Sequence, residues 1–361
     1  MRRKAFISLA ALLALLAGTA CTRQDPLPTG EVTLRFSVGL PETRATTPGV
    51  TGPADGGAIF CTGEGTAQNP YVPDLHILIF NSEGNIAAHY PGATSSCDVN
   101  AARTEATVSF SGMTAGEYTV YAVANTGTGV WGAPADQAAW DAITTETALR
   151  ALTLNHGSDP QPVVSDRMPL SASGTLTVQA TGNGEVSLEL LRCVAGVKVQ
   201  FENATSGKLD LTSVSLSIGS INPTQGKLIP PASGDDVSGT SQALSISAAS
   251  LEILKGETAL LSASTYFVFP SVASGGTYYC HPVTFSWTQT TPSSGDPVVT
   301  SGSYTSEAPG LRIHDKKSVD IPSLLRNQLI TIQIRIANNT NVSFNFVVAD
   351  WSTKQERVWF D

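Results

Sequence analysis

Five histidines are the first residues that could perform acid–base chemistry or bind a metal: His76, His89, His156, His281 and His314. None lies in an HExxH motif or in another spacing that is typical of metal ligands. The chain also lacks a GxSxG nucleophile elbow, a P-loop and a GxGxxG motif after a strand. Because no catalytic or cofactor-binding pattern occurs, we predict a protein that is not an enzyme and uses no cofactor or metal.

Charged residues give little evidence for a ligand. The carboxylates of Asp235 and Asp236 lie in a Gly/Ser-rich loop and could help to bind calcium, but a solvated turn is the simpler interpretation. His76 sits inside an apolar run, where a core or edge histidine is expected. The formal net charge is −9 and there is no basic patch, so nucleic acid is not an expected partner.

The five cysteines offer three different interpretations. No two of them have CxxC spacing, so neither a zinc site nor a redox motif is indicated. Cys61 and Cys97 flank one predicted hairpin region and could form a disulfide in an oxidising compartment. Cys193 lies in a predicted strand and is expected to be a small buried apolar residue. Cys21 follows a signal sequence.

That signal sequence occupies residues 1–20. Three basic residues at 2–4 precede an apolar run over residues 5–17, which is too short to cross a bilayer as a helix. Gly18-Thr19-Ala20-Cys21 resembles the lipobox of bacterial lipoproteins, in which the cysteine is acylated and becomes the first residue. The alternative is an ordinary signal cleaved near Ala20, with Cys21 incidental. Under both interpretations the chain leaves the cytoplasm.

A strongly amphipathic strand is predicted over Glu31–Leu40, shortly after the signal sequence. Burying its five apolar residues would contribute roughly 7–15 kcal/mol, as much as the whole stability of a typical domain. Yet a basic, cleavage-like site at Arg44 and Ala45 follows at once, so residues 21–44 are predicted to be a removable propeptide. The apolar residues of this strand alternate along one face: Val32, Leu34, Phe36, Val38 and Leu40.

The rest of the chain alternates short β-type runs with Gly, Asn, Pro and Ser turns. This composition indicates an all-β, mainly antiparallel protein made of β-sandwiches. A buried strand is predicted over 75–80, and one helix over 135–152, with Trp140, Ile143 and Leu149 towards a core. We predict two domains, residues 45–192 and 193–361, with the short helix in the first.

The C-terminal end of the chain is unusually apolar. A clear alternating strand is predicted over 329–336 and another over 342–348, and both are followed by the polar and aromatic residues 351–361. The terminal aromatic residues could be core residues of a last sheet. They could equally be anchors that dock into a neighbouring subunit, because an apolar terminal strand is unusual unless it is fixed.

Several segments together resemble the fimbrillin family, the subunits of type V pili. Residues 115–127 (AGEYTVYAVANTG) are similar to a family strand that ends in an Ala-Asn-Thr-Gly turn, and the predicted helix follows it as in the family. Residues 190–199 (LLRCVAGVKV) resemble the strand that joins the two domains. Residues 346–351 (FVVADW), with Val358 and Trp359, resemble the closing segment. The resemblance covers most of the chain and implies two β-sandwich domains of transthyretin-like type.

The resemblance also implies a mechanism of assembly. Such precursors are exported as lipoproteins, here acylated at Cys21, and reach the outer membrane and then the cell surface. An arginine-specific protease would cut between Arg44 and Ala45, and loss of the first strand would open a groove. A C-terminal strand of another subunit would fill that groove and build a homopolymeric fimbrium. The candidate donor residues are Phe344, Phe346, Val348, Trp351, Val358 and Phe360.

Two hypotheses of different classes remain. The first is a stalk subunit of an adhesive pilus; within the same family, an anchor would keep its lipid and first strand, and a tip could lack a usable donor. The second is a surface-anchored lipoprotein that binds a glycan or a host protein and does not polymerise. Exposed aromatic residues such as Trp131, Tyr278 and Tyr279 would serve that second role.

Overall fold

In the computed structural model, the described part of the chain excludes both ends and several connecting segments. The described residues are 29–38, 74–93, 98–99, 105–126, 131–134, 136–155, 169–179, 184–230, 237–261, 266–314, 319–338 and 341–350.

The described residues of the first half form nine strands and two short helices. Residues with β-branched and aromatic side chains dominate the longer strands, as expected for a pleated, half-buried surface. The strands are β1 (Thr29–Val38), β2 (Asp74–Asn81), β3 (Ile86–Ala93), β4 (Asp98–Val99), β5 (Glu105–Thr114), β6 (Gly116–Ala124), β7 (Thr153–Asn155), β8 (Leu170–Val178) and β9 (Gly184–Arg192). The helices are α1 (Gln137–Asp141) and α2 (Glu146–Ala151).

Eight of these strands form a folded sheet in the order β3-β2-β6-β8-β9-β1-β5-β4. The link between its two halves is narrow, because β8 pairs with β9 only through Leu170↔Arg192 and Ser171↔Leu191. Apolar side chains from both halves pack into one cluster, which includes residues of β1, β2, β5, β6, β8 and β9. The first half is therefore a β-sandwich whose core includes the N-terminal strand.

The second half contains one separate two-stranded sheet and two facing sheets. One has the order β13-β10-β20-β21 with β14 beside β10, and the other has the order β12-β11-β16-β17 with β18 and β7 attached. The strands are β10 (Ala195–Asn203), β11 (Lys208–Lys227), β12 (Val237–Ile253), β13 (Thr258–Leu260), β14 (Tyr266–Val268), β15 (Ser271–Val272), β16 (Tyr279–Thr291), β17 (Val298–Thr305), β18 (Leu311–Arg312), β19 (Ser323–Leu324), β20 (Gln328–Ile336) and β21 (Val342–Asp350).

The fold is thus all-β and mainly antiparallel, which confirms the predicted class. Two described pairings are parallel: β1 with β9, and β10 with β20. The alternation predicted for 329–336 is confirmed, because the isoleucines of β20 point into the second core. The run at 75–80 is buried on both faces, as predicted for a continuous apolar strand.

The prediction of one helix over 135–152 is wrong, because two short helices replace it. Asp136 accepts a hydrogen bond from the backbone of Ala139 and caps α1, and Thr145 caps α2 in the same way through Ala148. A Thr side chain that bonds to the backbone favours a helix start over a helix interior. The apolar face was predicted correctly, since Trp140, Ile143 and Leu149 are buried.

The helices cover the outer side of the first sandwich and build a small aromatic and polar cluster there. The His76 ring stacks on Trp140 with centroids 4.4 Å apart, and the His76 and His89 centroids are 6.1 Å apart. Nδ1 of His89 lies 3.3 Å from the carboxylate of Asp141. Burial lowers the pKa of His76 to about 4, although the nearby carboxylates of Asp74 and Asp141 oppose that effect.

The two halves are joined by a continuous interface. β9 passes into β10 through only Cys193 and Val194, and both residues are fully buried. β7 leaves the first half and pairs with the end of β11. Arg326 donates from Nη1 to Ser171 Oγ (3.0 Å) and from Nη2 to the carbonyl of Lys227 (3.1 Å). Apolar residues of both halves form a third cluster around these contacts.

Candidate functional site

The N-terminal strand lies inside a sheet, with a hydrogen-bonded neighbour on each side. β1 runs antiparallel to β5, from Thr29↔Thr114 to Ser37↔Glu105. On its other side it runs parallel to β9, from Val32↔Gly184 to Val38↔Leu190. Since the spacing between strands is about 4.8 Å, removing β1 would leave β5 and β9 about 10 Å apart with both inner edges unpaired.

The inward side chains of β1 fill the first core. Val32 and Leu34 are fully buried, and both belong to the apolar cluster of the first sandwich. Burying these two side chains contributes about 3–6 kcal/mol relative to leaving them exposed. Phe36 and Val38 lie in the same strand, whereas Leu40 lies outside the described residues. A segment that replaces β1 must therefore present apolar side chains at alternate positions.

The outward face of β1 carries one charged residue that contacts both neighbouring strands. Arg35 donates from Nε to Glu185 Oε1 on β9 (2.6 Å), and its Nη1 lies 3.6 Å from Glu105 Oε1 on β5. The hydrogen bond to Glu185 raises the pKa of the Arg35 guanidinium. The alternation of the strand predicted Arg35 on the outer face but gave it no role, because the two glutamates lie 70 and 150 residues away along the chain.

The candidate donor residues of β21 lie in an edge strand of the second sandwich. β21 pairs along its whole length with β20, from Gln328↔Asp350 to Ile336↔Val342. Phe346 is buried in the second core, and the partly buried ring of Phe344 packs 4.9 Å from that of Tyr304, centroid to centroid. Releasing β21 would therefore expose core residues of its own domain. Val348 lies in the same strand.

Several residues singled out in the sequence lie outside the described residues. These are the acylation and cleavage positions, the two cysteines proposed to pair, the acidic loop pair and the end of the chain: Cys21, Arg44, Ala45, Cys61, Cys97, Asp235, Asp236, Trp351, Val358 and Phe360. The described cysteines, Cys193 and Cys280, are buried thiols, as predicted for Cys193.

The aromatic residues suggested for ligand binding do not form an exposed surface. Trp131 and Tyr278 are buried, so the prediction that they are exposed is wrong. Trp131 packs edge to face with Phe269, and the Tyr278 hydroxyl hydrogen-bonds with Ser271. Tyr279 is 37% exposed, and it stands alone of the three at the surface. A surface binding site built on these residues is therefore not supported.

The described part of the chain holds neither a metal-binding cluster nor a helix that could span a membrane. Among those residues, no group of three or more His, Cys, Asp or Glu side chains is arranged to hold a metal ion. Likewise, none of the helices within the described ranges has the length and apolar character needed to span a membrane.

Solved structures of a candidate cell adhesion protein and of two fimbrial proteins are similar to this chain over most of its length. A candidate cell adhesion protein from Parabacteroides distasonis has a TM-score of 0.52 at 14% identity, covering 92% of this chain and 100% of that one. The tip fimbrial protein Mfa3 from Porphyromonas gingivalis has a TM-score of 0.49 at 12% identity, with 90% and 100% covered. Fimbrilin (FimA) from P. gingivalis W83 has a TM-score of 0.43 at 11% identity, covering 90% of this chain and 99% of that one.

Sequence comparison gives the family. No curated protein matches the chain. Residues 24–356, by contrast, match the sequence model of a family described as fimbrillin-A associated anchor proteins Mfa1 and Mfa2. The match spans both sandwiches and confirms the resemblance to fimbrillins. The chain therefore belongs to the fimbrillin-A associated family of Mfa1 and Mfa2, a family of fimbrial proteins.

Proposed function

We propose that this protein is a structural subunit of a surface fimbrium and that β1 fills its assembly groove until another subunit replaces it. The observation that supports this proposal is the position of β1. A strand that begins at Thr29 and ends six residues before Arg44 lies between β5 and β9 and fills a core. If the chain is cut at Arg44 and β1 is lost, another segment must take its place in the sheet and in the core.

The proposed sequence of events begins with export. The precursor is acylated at Cys21 and carried to the outer membrane, with β1 in place. An arginine-specific protease cuts between Arg44 and Ala45, which releases residues 21–44. The C-terminal segment of another subunit then enters the groove by strand addition. Because the C-terminal segment follows β21 of the second sandwich in the chain while the groove belongs to the first sandwich, this contact does not close and a filament grows at the cell surface.

The free energy lost with β1 can be recovered only by a donor segment that closely resembles β1. Loss of Val32 and Leu34 alone removes about 3–6 kcal/mol of burial, and both edge strands lose their hydrogen-bond partners. A donor recovers these terms only if it is extended, alternates apolar and polar residues, and reaches both β5 and β9. Candidate apolar residues for this purpose lie in β21 and in residues 351–361.

A second candidate function is that of a fimbrial anchor. The description of the matching family names anchor proteins. An anchor would keep its acyl chain and β1, and would hold the first polymerising subunit at the membrane. Both candidates are structural proteins, and neither requires an enzymatic activity. A glycan-binding or host-protein-binding lipoprotein is less well supported, because Trp131 and Tyr278 are buried.

Limited proteolysis tests the proposal and separates the two candidates. The purified precursor is treated with an arginine-specific protease, and its size and N-terminal sequence are followed over time. For a stalk subunit we expect polymers whose chains begin at Ala45, whereas an Arg44→Gln variant treated in parallel should remain monomeric. A chain that resists cutting at Arg44 supports the anchor. A stable monomer after complete cutting would contradict assembly by strand exchange.

A further inference from the structure

The groove has an acidic rim. Glu105 on β5 and Glu185 and Glu189 on β9 are on the outer face beside the positions of Thr33, Arg35 and Ser37. The side chains of Glu105 and Glu185 are 40% and 58% exposed, and Glu189 is also exposed. Within the described residues of β1, β5 and β9, the exposed cation is Arg35, since Arg192 is fully buried.

Removal of β1 would also remove Arg35, and the negative charges of the rim would then lack this nearby positive charge. Glu105 and Glu185 approach Arg35 from opposite sides of the groove, so both carboxylates would then face an empty space and repel each other. An incoming segment with a cation between them would relieve that repulsion. Electrostatic complementarity of this kind mainly affects association rate and register rather than total affinity.

We propose that Arg357 of a second copy of this chain takes the place of Arg35 between Glu105 and Glu185, and thereby sets the register of the incoming C-terminal segment. This inference rests on the proposed function, because it requires that β1 leaves and is replaced. The occupant is therefore residues 351–361 (WSTKQERVWFD) of the next subunit, with its guanidinium at the rim.

The pattern of that segment agrees with this register. When Arg357 points outward, Val358 and Phe360 point inward, as Val32 and Leu34 do in β1. The other cation of the segment, Lys354, has the opposite parity and would direct Arg357 into the core. Arg357 is thus the cation that combines a charge on the rim with apolar residues in the core.

The same register also selects a direction. If the segment ran in the direction of β1, Glu356 would occupy the fully buried place of Leu34, where an unpaired carboxylate is costly. In the opposite direction, Val358 takes the place of Leu34 and Phe360 takes the place of Val32, while Glu356 moves to the place of Phe36, closer to the end of β1. The donor is therefore expected to run antiparallel to β9 and parallel to β5.

β21 does not provide this complementarity. Its sequence, VSFNFVVAD, contains no cation, and its single charged residue is Asp350. With Phe344, Phe346 and Val348 directed inward, its outward residues at the rim would be Ser343, Asn345 and Val347. β21 could fill the apolar positions but would leave the acidic rim unbalanced.

A charge-swap experiment on the full chain tests this inference. The donor-reversed variant is Arg357→Glu. The acceptor-reversed variant combines Glu105→Lys and Glu185→Lys with Arg35→Glu, so that the precursor keeps an ion-paired clamp of opposite sign until β1 is cut away. A fourth chain carries both sets of changes, and Lys255→Glu, at an exposed turn outside the groove and the donor segment, is the control with the same change in net charge as the donor-reversed variant.

All five chains, wild type included, are cut with the arginine-specific protease, and the rate of polymer growth is followed by light scattering at low salt. We expect growth to slow roughly tenfold in each singly reversed variant, the scale of two or three exposed ion pairs made unfavourable. The chain with both reversals should recover to within about twofold of wild type, and Lys255→Glu should grow at the rate of wild type. Added salt should reduce the differences.

The possible failures can be told apart. If wild type is cut and forms no polymer, the proposed strand exchange fails and the role of Arg357 fails with it. If wild type polymerises and the reversed variants grow at the same rate as wild type, strand exchange stands but the electrostatic register is wrong. Slow growth of the doubly reversed chain, equal to that of the single variants, would also overturn the pairing of Arg357 with the two glutamates.

Discussion

Individual residues of β1 have two separate roles, which lie on its two faces. Val32 and Leu34 fill the core, while Arg35 spans the glutamates on both neighbouring strands. The first role is measured as stability of the precursor. The ion pairs of Arg35 are exposed and contribute little to the stability of the precursor itself. Under the proposed exchange, they show which charge a segment that replaces β1 should carry.

Replacing Leu34 by alanine should destabilise the precursor but not the assembled polymer. A fully buried leucine loses about 2–5 kcal/mol of stability on truncation to alanine. Urea denaturation of the uncut variant measures this loss, with the partly exposed Thr33→Ala as a control that should change stability by less than about 1 kcal/mol. Polymers of the variant should be as stable as those of wild type, since the proposed exchange removes β1 from them. Equal destabilisation of both forms would show that β1 is retained.

Acid should weaken the first sandwich through His76. Its pKa is lowered from an ordinary 6.5 to about 4, so the unfolded chain binds a proton more readily than the folded chain between these values. Stability is therefore complete above about pH 6.5 and falls by up to about 3 kcal/mol as the pH approaches 4. Asp74, Asp141 and His89 are the charged or titratable groups that act on it, and burial also lowers the pKa of His89.

Denaturation midpoints measured between pH 7 and pH 4 test this effect. A His76→Phe variant keeps an aromatic ring against Trp140 but cannot be protonated, so its stability should fall less steeply over this range. An unchanged pH dependence in that variant would show that other groups cause the acid sensitivity. His314→Phe is a suitable comparison, because His314 lies in the other sandwich, where its ring contacts Phe346.

Secondary-structure elements differ in how much their own sequence reveals. The strict alternation in residues 31–40 predicted a strand with one buried face, and the described side chains of β1 agree. The parallel pairing of β1 with β9 could not be predicted, because nothing in either strand specifies the direction of a partner 150 residues away. β7 was also missed, since three residues are too few to show a period.

The helical region shows a different limit. Apolar spacing identified the buried face correctly, but the side chains of Asp136 and Thr145 bond to the backbone and start two helices where one was predicted. Trp131 was misplaced because a loop sequence does not reveal its partner, Phe269, which lies in the second half of the chain. The groove could be predicted from the alternating sequence of β1 alone. Its acidic rim could not be predicted, because it depends on the pairing of β1 with β5 and β9, which only the structure shows.

Locking β21 to its own sheet should leave polymerisation intact. Gln333 and Asn345 are directly opposite each other on β20 and β21, and Asn345 Nδ2 donates to Gln333 Oε1 (3.2 Å). Replacing both by cysteine places two thiols within the range of a disulfide. If residues 351–361 are the donor, the oxidised chain should polymerise at the rate of the reduced chain. Polymerisation that occurs only after reduction would identify β21 itself as the donor.

The whole molecule is two sandwiches that share a buried interface. β7 is a strand of the second sandwich contributed by the first half, and Arg326 connects Ser171 with the carbonyl of Lys227. Asn327 receives a hydrogen bond from the fully buried Arg192 (3.0 Å), whose pKa is lowered to about 10 by burial. These contacts predict that the two halves unfold together.

Truncating Arg326 should reduce the cooperativity with which the two halves unfold. Removing hydrogen bonds that involve a charged group costs about 1–3 kcal/mol, and here the loss falls on contacts between the halves. We expect the single calorimetric transition of the wild-type precursor to separate into two in Arg326→Ala. Arg312→Ala, which removes an exposed ion pair with Asp320, should keep one transition. Two transitions already present in wild type would contradict a rigid junction.

The short passage from β9 into β10 also bears on how a filament would resist pulling. β9 is one of the two strands that would pair with the donor. β10 lies inside a sheet whose edge strand is β21, and β21 leads into the donor segment for the next subunit. Only Cys193 and Val194 separate β9 from β10. Tension on such a filament would run along strand axes, so that many hydrogen bonds share the load at once. A shaft built this way would stretch little before it breaks.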